Sequence, residues 1–170
     1  MKTTFAAGVG LAALFTAAAL QAAPPAAAGD EAQLRALETR YAKAFSAEDV
    51  SGVMSVYSRA GDLFVFDAVP PRQYVGWEAY RKDFQALFAQ FPGHAPTTLG
   101  ELHLTVVGPV AYGHSVQTSD FTAKDGSKVR LIVRVTDVYR KQSGGWKIVQ
   151  EHVSFPVNLP SGQADLLSKP

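Results

Sequence analysis

Asp67 follows four apolar residues, Leu63-Phe64-Val65-Phe66, and precedes the pair Pro70-Pro71. A carboxylate at the end of a buried strand loses hydration, so its pKa rises and it suits general-base work. The same aspartate also fits a structural task, accepting backbone N–H groups in the turn over residues 68–71. Both readings stand on the sequence. His152 is the second candidate proton carrier, since imidazole titrates near neutral pH. In Trp146-Lys147-Ile148-Val149-Gln150-Glu151-His152-Val153-Ser154, two-residue alternation puts Trp146, Ile148, Gln150, His152 and Ser154 on one face. A face that begins with Trp and Ile points inward, so His152 and Ser154 are expected beside a cavity. A buried histidine satisfied by a tyrosine or a carbonyl is the plainer alternative.

Arg134 and Thr136 share a face of the preceding strand. An arginine amid Leu131, Ile132, Val133, Val135 and Val138 needs a partner, and Asp67 or Glu151 would serve. Its face depends on the hairpin register at Ser143-Gly144-Gly145, because a slip of one residue sends the side chain outward. If Val129, Leu131, Val133, Val135 and Tyr139 face outward, they make a sheet surface suited to self-association. A tight turn at Gly108-Pro109 sets His103 opposite His114, on a face shared with Glu101, Thr105 and Tyr112. That face is the outer one, and two histidines without a third ligand make a poor zinc site, so no metal is expected. His94 sits in a Pro-Gly loop and reads as solvated. Trp77 reads as core first and cavity lining second. There is no nucleophile elbow, phosphate loop or dinucleotide fingerprint, so no cofactor is expected.

The elements that position these residues are legible from periodicity. Asp30-Glu31-Ala32-Gln33 has the form of a capping box, and Leu34, Leu37, Tyr41, Ala44 and Phe45 continue it as a helix. A shorter helix from near Asp49 carries Val50, Val53, Met54 and Tyr57 on one face. Leu63–Phe66 reads as a short buried strand. Trp77, Tyr80, Phe84, Leu87, Phe88 and Phe91 form the stripe of a third helix that Pro92-Gly93 stops. Four β runs follow, near 97–107, 110–122, 128–140 and 146–155, joined by turns short enough to require antiparallel neighbours. The expected fold is α+β, with three N-terminal helices on a strongly curved, mainly antiparallel sheet. This cone-like α+β barrel leaves an internal pocket where helices fail to fill the curve.

The 170 residues are 47% hydrophobic and 18% charged, a composition for one globular domain. All fifteen carboxylates lie at or after Asp30, and only Lys2 of the sixteen basic residues precedes it. The remainder is formally neutral with no basic run, so neither nucleic acid nor an anionic membrane is an expected partner. Lys2, the apolar run Phe5–Leu20 and the small residues near Gln21-Ala22-Ala23 have the form of a secretory signal. Residues 1–23 are thus expected to be removed, giving a secreted or periplasmic protein, and 24–29 to be a disordered linker. The domain is expected over 30–156 and a tail over 157–170. Cysteine is absent, which leaves packing to supply stability.

Several motifs resemble the nuclear transport factor 2-like superfamily, in its SnoaL-like and ketosteroid-isomerase-related branch. They are Phe66-Asp67-Ala68-Val69-Pro70-Pro71, Gly76-Trp77-Glu78-Ala79-Tyr80 and Arg134-Val135-Thr136-Asp137-Val138-Tyr139. The most specific is Gly145-Trp146-Lys147-Ile148-Val149-Gln150-Glu151-His152-Val153-Ser154-Phe155-Pro156. The resemblance implies a cone whose interior binds a small apolar or amphipathic molecule. A homodimer is the expected assembly. Some members catalyse isomerisation, cyclisation or hydration. Ketosteroid isomerase uses an aspartate base with a tyrosine and a protonated aspartate as hydrogen-bond donors. Asp67 with Tyr41 or Tyr57 echoes part of that. Similar sequences carry a second histidine where this chain has Gln150, which weakens any metal reading. The expected function is capture of a small molecule by an exported protein. The alternatives are cofactor-free proton transfer by Asp67 and His152, and a homo-oligomeric assembly module.

Overall fold

The computed structural model describes residues 25–92 and 94–168, and the expected export signal lies outside them. Helix α1 (Pro25–Ser46) begins ahead of the expected Asp30 start, so residues 25–29 are helical rather than a linker. Its stripe Leu34, Leu37, Tyr41 and Phe45 is buried, as the spacing requires. The short α2 (Val50–Met54) buries Val53 and Met54. Strands β1 (Phe64–Phe66) and β2 (Tyr74–Val75) precede α3 (Trp77–Gln90), which buries Tyr80, Phe84 and Phe88. Gly76 enters α3 with φ 86° and ψ 155°, a conformation open in practice to glycine alone. No described helix is long and apolar enough to cross a membrane.

The expected first β run divides into β3 (Thr97–Leu99) and β4 (His103–Val107), and both halves pair with β5 (Val110–Thr122). Strands β6 (Lys128–Gln142) and β7 (Gly145–Ser154) complete the meander. The seven-stranded sheet runs β2-β1-β7-β6-β5-β3, with β4 beside β5. It is mixed, because β1 lies parallel to β7, while the other pairs are antiparallel. The sheet curls around the helices without closing into a barrel; β2 forms one edge, and β3 and β4 form the other. Beyond Pro156 the chain turns back as a small hairpin of β8 (Val157–Asn158) and β9 (Gln163–Ala164), and Leu166 O accepts the Ile132 amide at 2.8 Å.

One local irregularity decides which side chains face the interior. Tyr139 pairs with Ile148, yet Val138 pairs with Gln150, so Val149 is an extra residue in β7. Such a bulge reverses the alternation beyond it. Trp146 and Ile148 point inward as expected, but past Val149 the inward residue is Glu151, while Gln150 and His152 are exposed. On β6 the inward set includes Val135, Asp137 and Tyr139, and Arg134 and Thr136 are exposed. The apolar β6 residues therefore do not form the outward adhesive surface considered above.

Asp30 caps nothing. Its carboxylate accepts Lys141 Nζ at 2.6 Å and the Trp146 indole N–H at 3.1 Å, tying α1 to the β6–β7 hairpin. Gly113 permits a close crossing, since a Cβ there would lie 2.7 Å from Leu104 Cδ2 and 2.9 Å from the His103 carbonyl oxygen. The Leu104 methyl has room to swing, but the strand backbone does not. Gly113→Ala is expected to destabilise the fold by about 1–3 kcal/mol, read as a melting temperature lowered by several degrees.

Candidate functional site

A cavity of about 420 Å³ lies between α1, α3 and the inner face of the sheet. Its wall is apolar: Phe45 from α1, Phe84 and Phe91 from α3, Phe121 from β5, and Leu131 and Val135 from β6. Rings around it meet edge to face, with Phe45 at 6.0 Å from both Phe84 and Phe121. Asp67 and Glu151 also line the cavity, together with Tyr41, Tyr80 and Asp83. Among the described residues the lining contains no lysine, arginine or histidine.

The acidic end is held by tyrosines. Glu151 accepts Tyr57 Oη–H at 2.8 Å and Tyr80 Oη–H at 2.7 Å. Tyr80 Oη also lies 3.2 Å from Asp67 Oδ2. One hydroxyl proton cannot serve both carboxylates fully, and the shorter contact marks Glu151 as its acceptor. Behind Glu151 sits Asp137, and Tyr139 donates to Glu38 at 2.9 Å with Asp137 Oδ2 at 3.4 Å. Glu38, Asp137 and Glu151 are each at least 97% buried, and no Arg, Lys or His pairs with them among the described residues. Asp137 Oδ1 meets no donor, and its carboxylate lies against that of Glu151. Two carboxylates in contact need a proton between them.

Desolvation sets the protonation states. Burial pushes Glu38 and Glu151 up to about 7, against the partial relief of their tyrosine bonds. It raises Asp137 as well, with Glu151 and Glu38 adding repulsion, so Asp137 and Glu151 share a proton in the folded chain. Asp67 is raised as well, by burial first, while the Ala68 amide at 2.6 Å moderates the effect. One Asp67 oxygen binds the turn backbone, as the structural reading expected, and the other faces Tyr80.

The other sequence candidates divide. Tyr41 lines the cavity, and its hydroxyl takes no hydrogen bond among the described residues. Tyr57 is fully buried and acts through Glu151 rather than at the cavity surface. Trp77 stands elsewhere, its indole N–H bound to Met54 O at 2.9 Å and Arg59 stacked 3.8 Å from its ring centroid. His152, Ser154, Arg134 and Thr136 are corrections, because the bulge and the hairpin register leave them on the outer side of the sheet. There His152 packs on Phe66 at 5.7 Å, and Arg134 binds the Phe155 carbonyl at 3.1 Å rather than a carboxylate. His103 and His114 stack at 4.9 Å on that outer side, in the register the turn required. Sequence reasoning missed Glu38, Asp137, Glu151 and the polar role of Tyr80. The signal for two of them was present, since Glu38 interrupts the stripe of α1 and Asp137 follows Val133 and Val135 at two-residue spacing.

These carboxyls predict a pH effect of definite sign. A group whose pKa is higher folded than unfolded binds more protons in the native state, so stability falls as pH rises. The window runs from the ordinary value of 4.5 to about 7 for Glu38 and Glu151. Melting temperature is expected to fall between pH 5 and pH 8, at a limit of roughly 1.4 kcal/mol per pH unit for each group. Glu38→Gln, which keeps an acceptor for Tyr139, is expected to flatten part of that fall. A flat or rising profile contradicts unpaired burial of these acids.

Comparison with known proteins agrees with this architecture. A sequence profile of the SnoaL-like domain matches residues 34–158. An NTF2-like protein of unknown function from Pseudomonas putida KT2440 is 26% identical with TM-score 0.75, over 84% of this chain and 98% of that one. A nuclear transport factor 2 (NTF2-like) superfamily protein from Salmonella enterica serovar Typhimurium LT2 is 16% identical with TM-score 0.71, over 81% and 99%. A ketosteroid isomerase-like protein from Erwinia carotovora atroseptica SCRI1043 is 19% identical with TM-score 0.61, over 72% and 93%. No curated protein matches the chain. With the profile spanning most of the sequence and the curled sheet around its cavity in place, the chain belongs to the SnoaL-like family of the NTF2-like superfamily.

Proposed function

We propose that this chain is an exported protein that captures a small, largely apolar or amphipathic molecule between its helices and its sheet. The observation that carries the reading is the cavity of about 420 Å³, apolar along its wall and acidic at one end. Protein interiors otherwise pack closely, and a preserved hollow with a few convergent polar groups is ligand space. Val133→Trp, a substitution in the cavity wall, is expected to fill the hollow. It should weaken binding of an apolar fluorescent probe at least tenfold while the circular dichroism spectrum stays native. Equal binding by this variant and the native chain would place the probe elsewhere and sink the reading.

A second reading has its own support. Asp67 and Glu151 share the cavity surface, are bridged by Tyr80, and are both raised by burial, which suits an acid–base pair. In that case the chain is a cofactor-free isomerase, cyclase or hydratase, with Glu151 in the place the sequence suggested for His152. Asp67→Asn separates the readings: the apolar probe still binds, and proton transfer is lost.

Export and pairing are further parts of the proposal. The outer side of the sheet offers Phe66, Tyr112, His114, Thr136 and His152 to a second copy. Native mass spectrometry of protein recovered outside the cytoplasm is expected to show a dimer of chains lacking residues 1–23. A monomer of full-length chains would refute both.

A further inference from the structure

We propose that the cavity takes a protonated amine carried on an apolar body, with its ammonium group set between Asp67, Glu151 and the hydroxyl of Tyr41. The inference rests on the reading of the cavity as a binding site and names the chemistry of its occupant.

Three observations carry it. First, the lining supplies acceptors of one sign. Asp67, Asp83 and Glu151 are present, and cationic side chains are missing from the described lining. Buried carboxylates are ordinarily paired with a cation, and here the protein provides none. Second, a polar atom remains unsatisfied where a ligand would sit. Tyr41 is only 8% exposed, lines the cavity, and its hydroxyl has no partner among the described residues. An ammonium group brings three N–H donors and no acceptor, which complements two carboxylates and a hydroxyl oxygen. Against the ionised carboxylates a neutral alcohol brings one donor and a ketone none. Third, the walls suit the rest of such a molecule. Phe45, Phe84 and Tyr80 present ring faces and edges, able to hold an apolar body and attract a nearby cation.

The groups facing Glu151 are Tyr41 and Glu38 from α1, Tyr57 after α2, Asp67 after β1, Tyr80 from α3, and Asp137 and Tyr139 from β6. All are acidic or neutral. An incoming cation therefore stabilises the ionised carboxylates, and binding expels the protons that burial had kept on them. Capture should strengthen as pH rises through the neutral range, although the amine itself stays charged below about pH 10.

Calorimetric titration with 4-phenylbutylamine and its neutral counterpart 4-phenylbutanol tests this. At pH 8 the amine is expected to bind at least tenfold more tightly than the alcohol, and the advantage should shrink at pH 5.5. At pH 6 the heat should vary with the ionisation enthalpy of the buffer, which reports proton release. Glu151→Gln should erase most of the preference. Tyr41→Phe, which removes one hydroxyl and keeps the ring, should reduce it in a chain whose core is unchanged. If the alcohol binds as well as the amine, or only the alcohol binds, the amine proposal is overturned and the binding reading survives. If neither ligand binds and the apolar probe is equally indifferent to Val133→Trp, both fall.

Discussion

Burying several carboxylates together without a counter-ion is the constraint on which the rest of this structure depends. Glu38, Asp137 and Glu151 come from α1, β6 and β7, so the acidic cluster stands where the first helix crosses the centre of the sheet. Each lone carboxylate would be costly there, and tyrosine hydroxyls together with shared protons make the group tolerable. Tyr57, Tyr80 and Tyr139 are fully or almost fully buried, and each spends its proton on one of these acids. The aromatic core and the polar network are therefore one object. The rings fill volume, and their hydroxyls keep the acids hydrogen-bonded.

That coupling explains how a domain without cysteine can hold open a cavity. Tyr80 touches Phe84 at 4.6 Å and Tyr57 at 5.3 Å, so the cavity wall is braced by the network behind it. Preorganisation of this kind lowers the ordering cost of binding, because the polar end is already in place before a ligand arrives.

Much of this was legible in the sequence, and the failures trace to a bulge and to partners distant in sequence. The helices were readable because their apolar residues recur at helical spacing, as in Leu34, Leu37, Tyr41 and Phe45. The His103–His114 pairing was readable because a two-residue turn leaves one register. Asp67 was placed correctly at the cavity because four apolar residues lead straight to it. His152 and Ser154 were not, since a strand pattern carries no mark of a bulge. The alternation that fits Trp146 and Ile148 fails once Val149 is passed over by the ladder. Glu38 and Asp137 were visible as exceptions to apolar stripes. Such an exception shows only that a polar group is buried, and its partners come from elements distant in sequence.

The C-terminal hairpin has one more consequence. Strand β7 ends opposite Arg134, and two residues further along β6 the Ile132 amide is taken by the Leu166 carbonyl. The final segment thus satisfies a backbone amide next to Val133, which lines the cavity with Phe155. A chain cut short at Pro156 would present an unpaired edge at that place, ready for an extended peptide to add itself as a strand. Leu166 is thus a built-in occupant of a position that a foreign strand would otherwise claim.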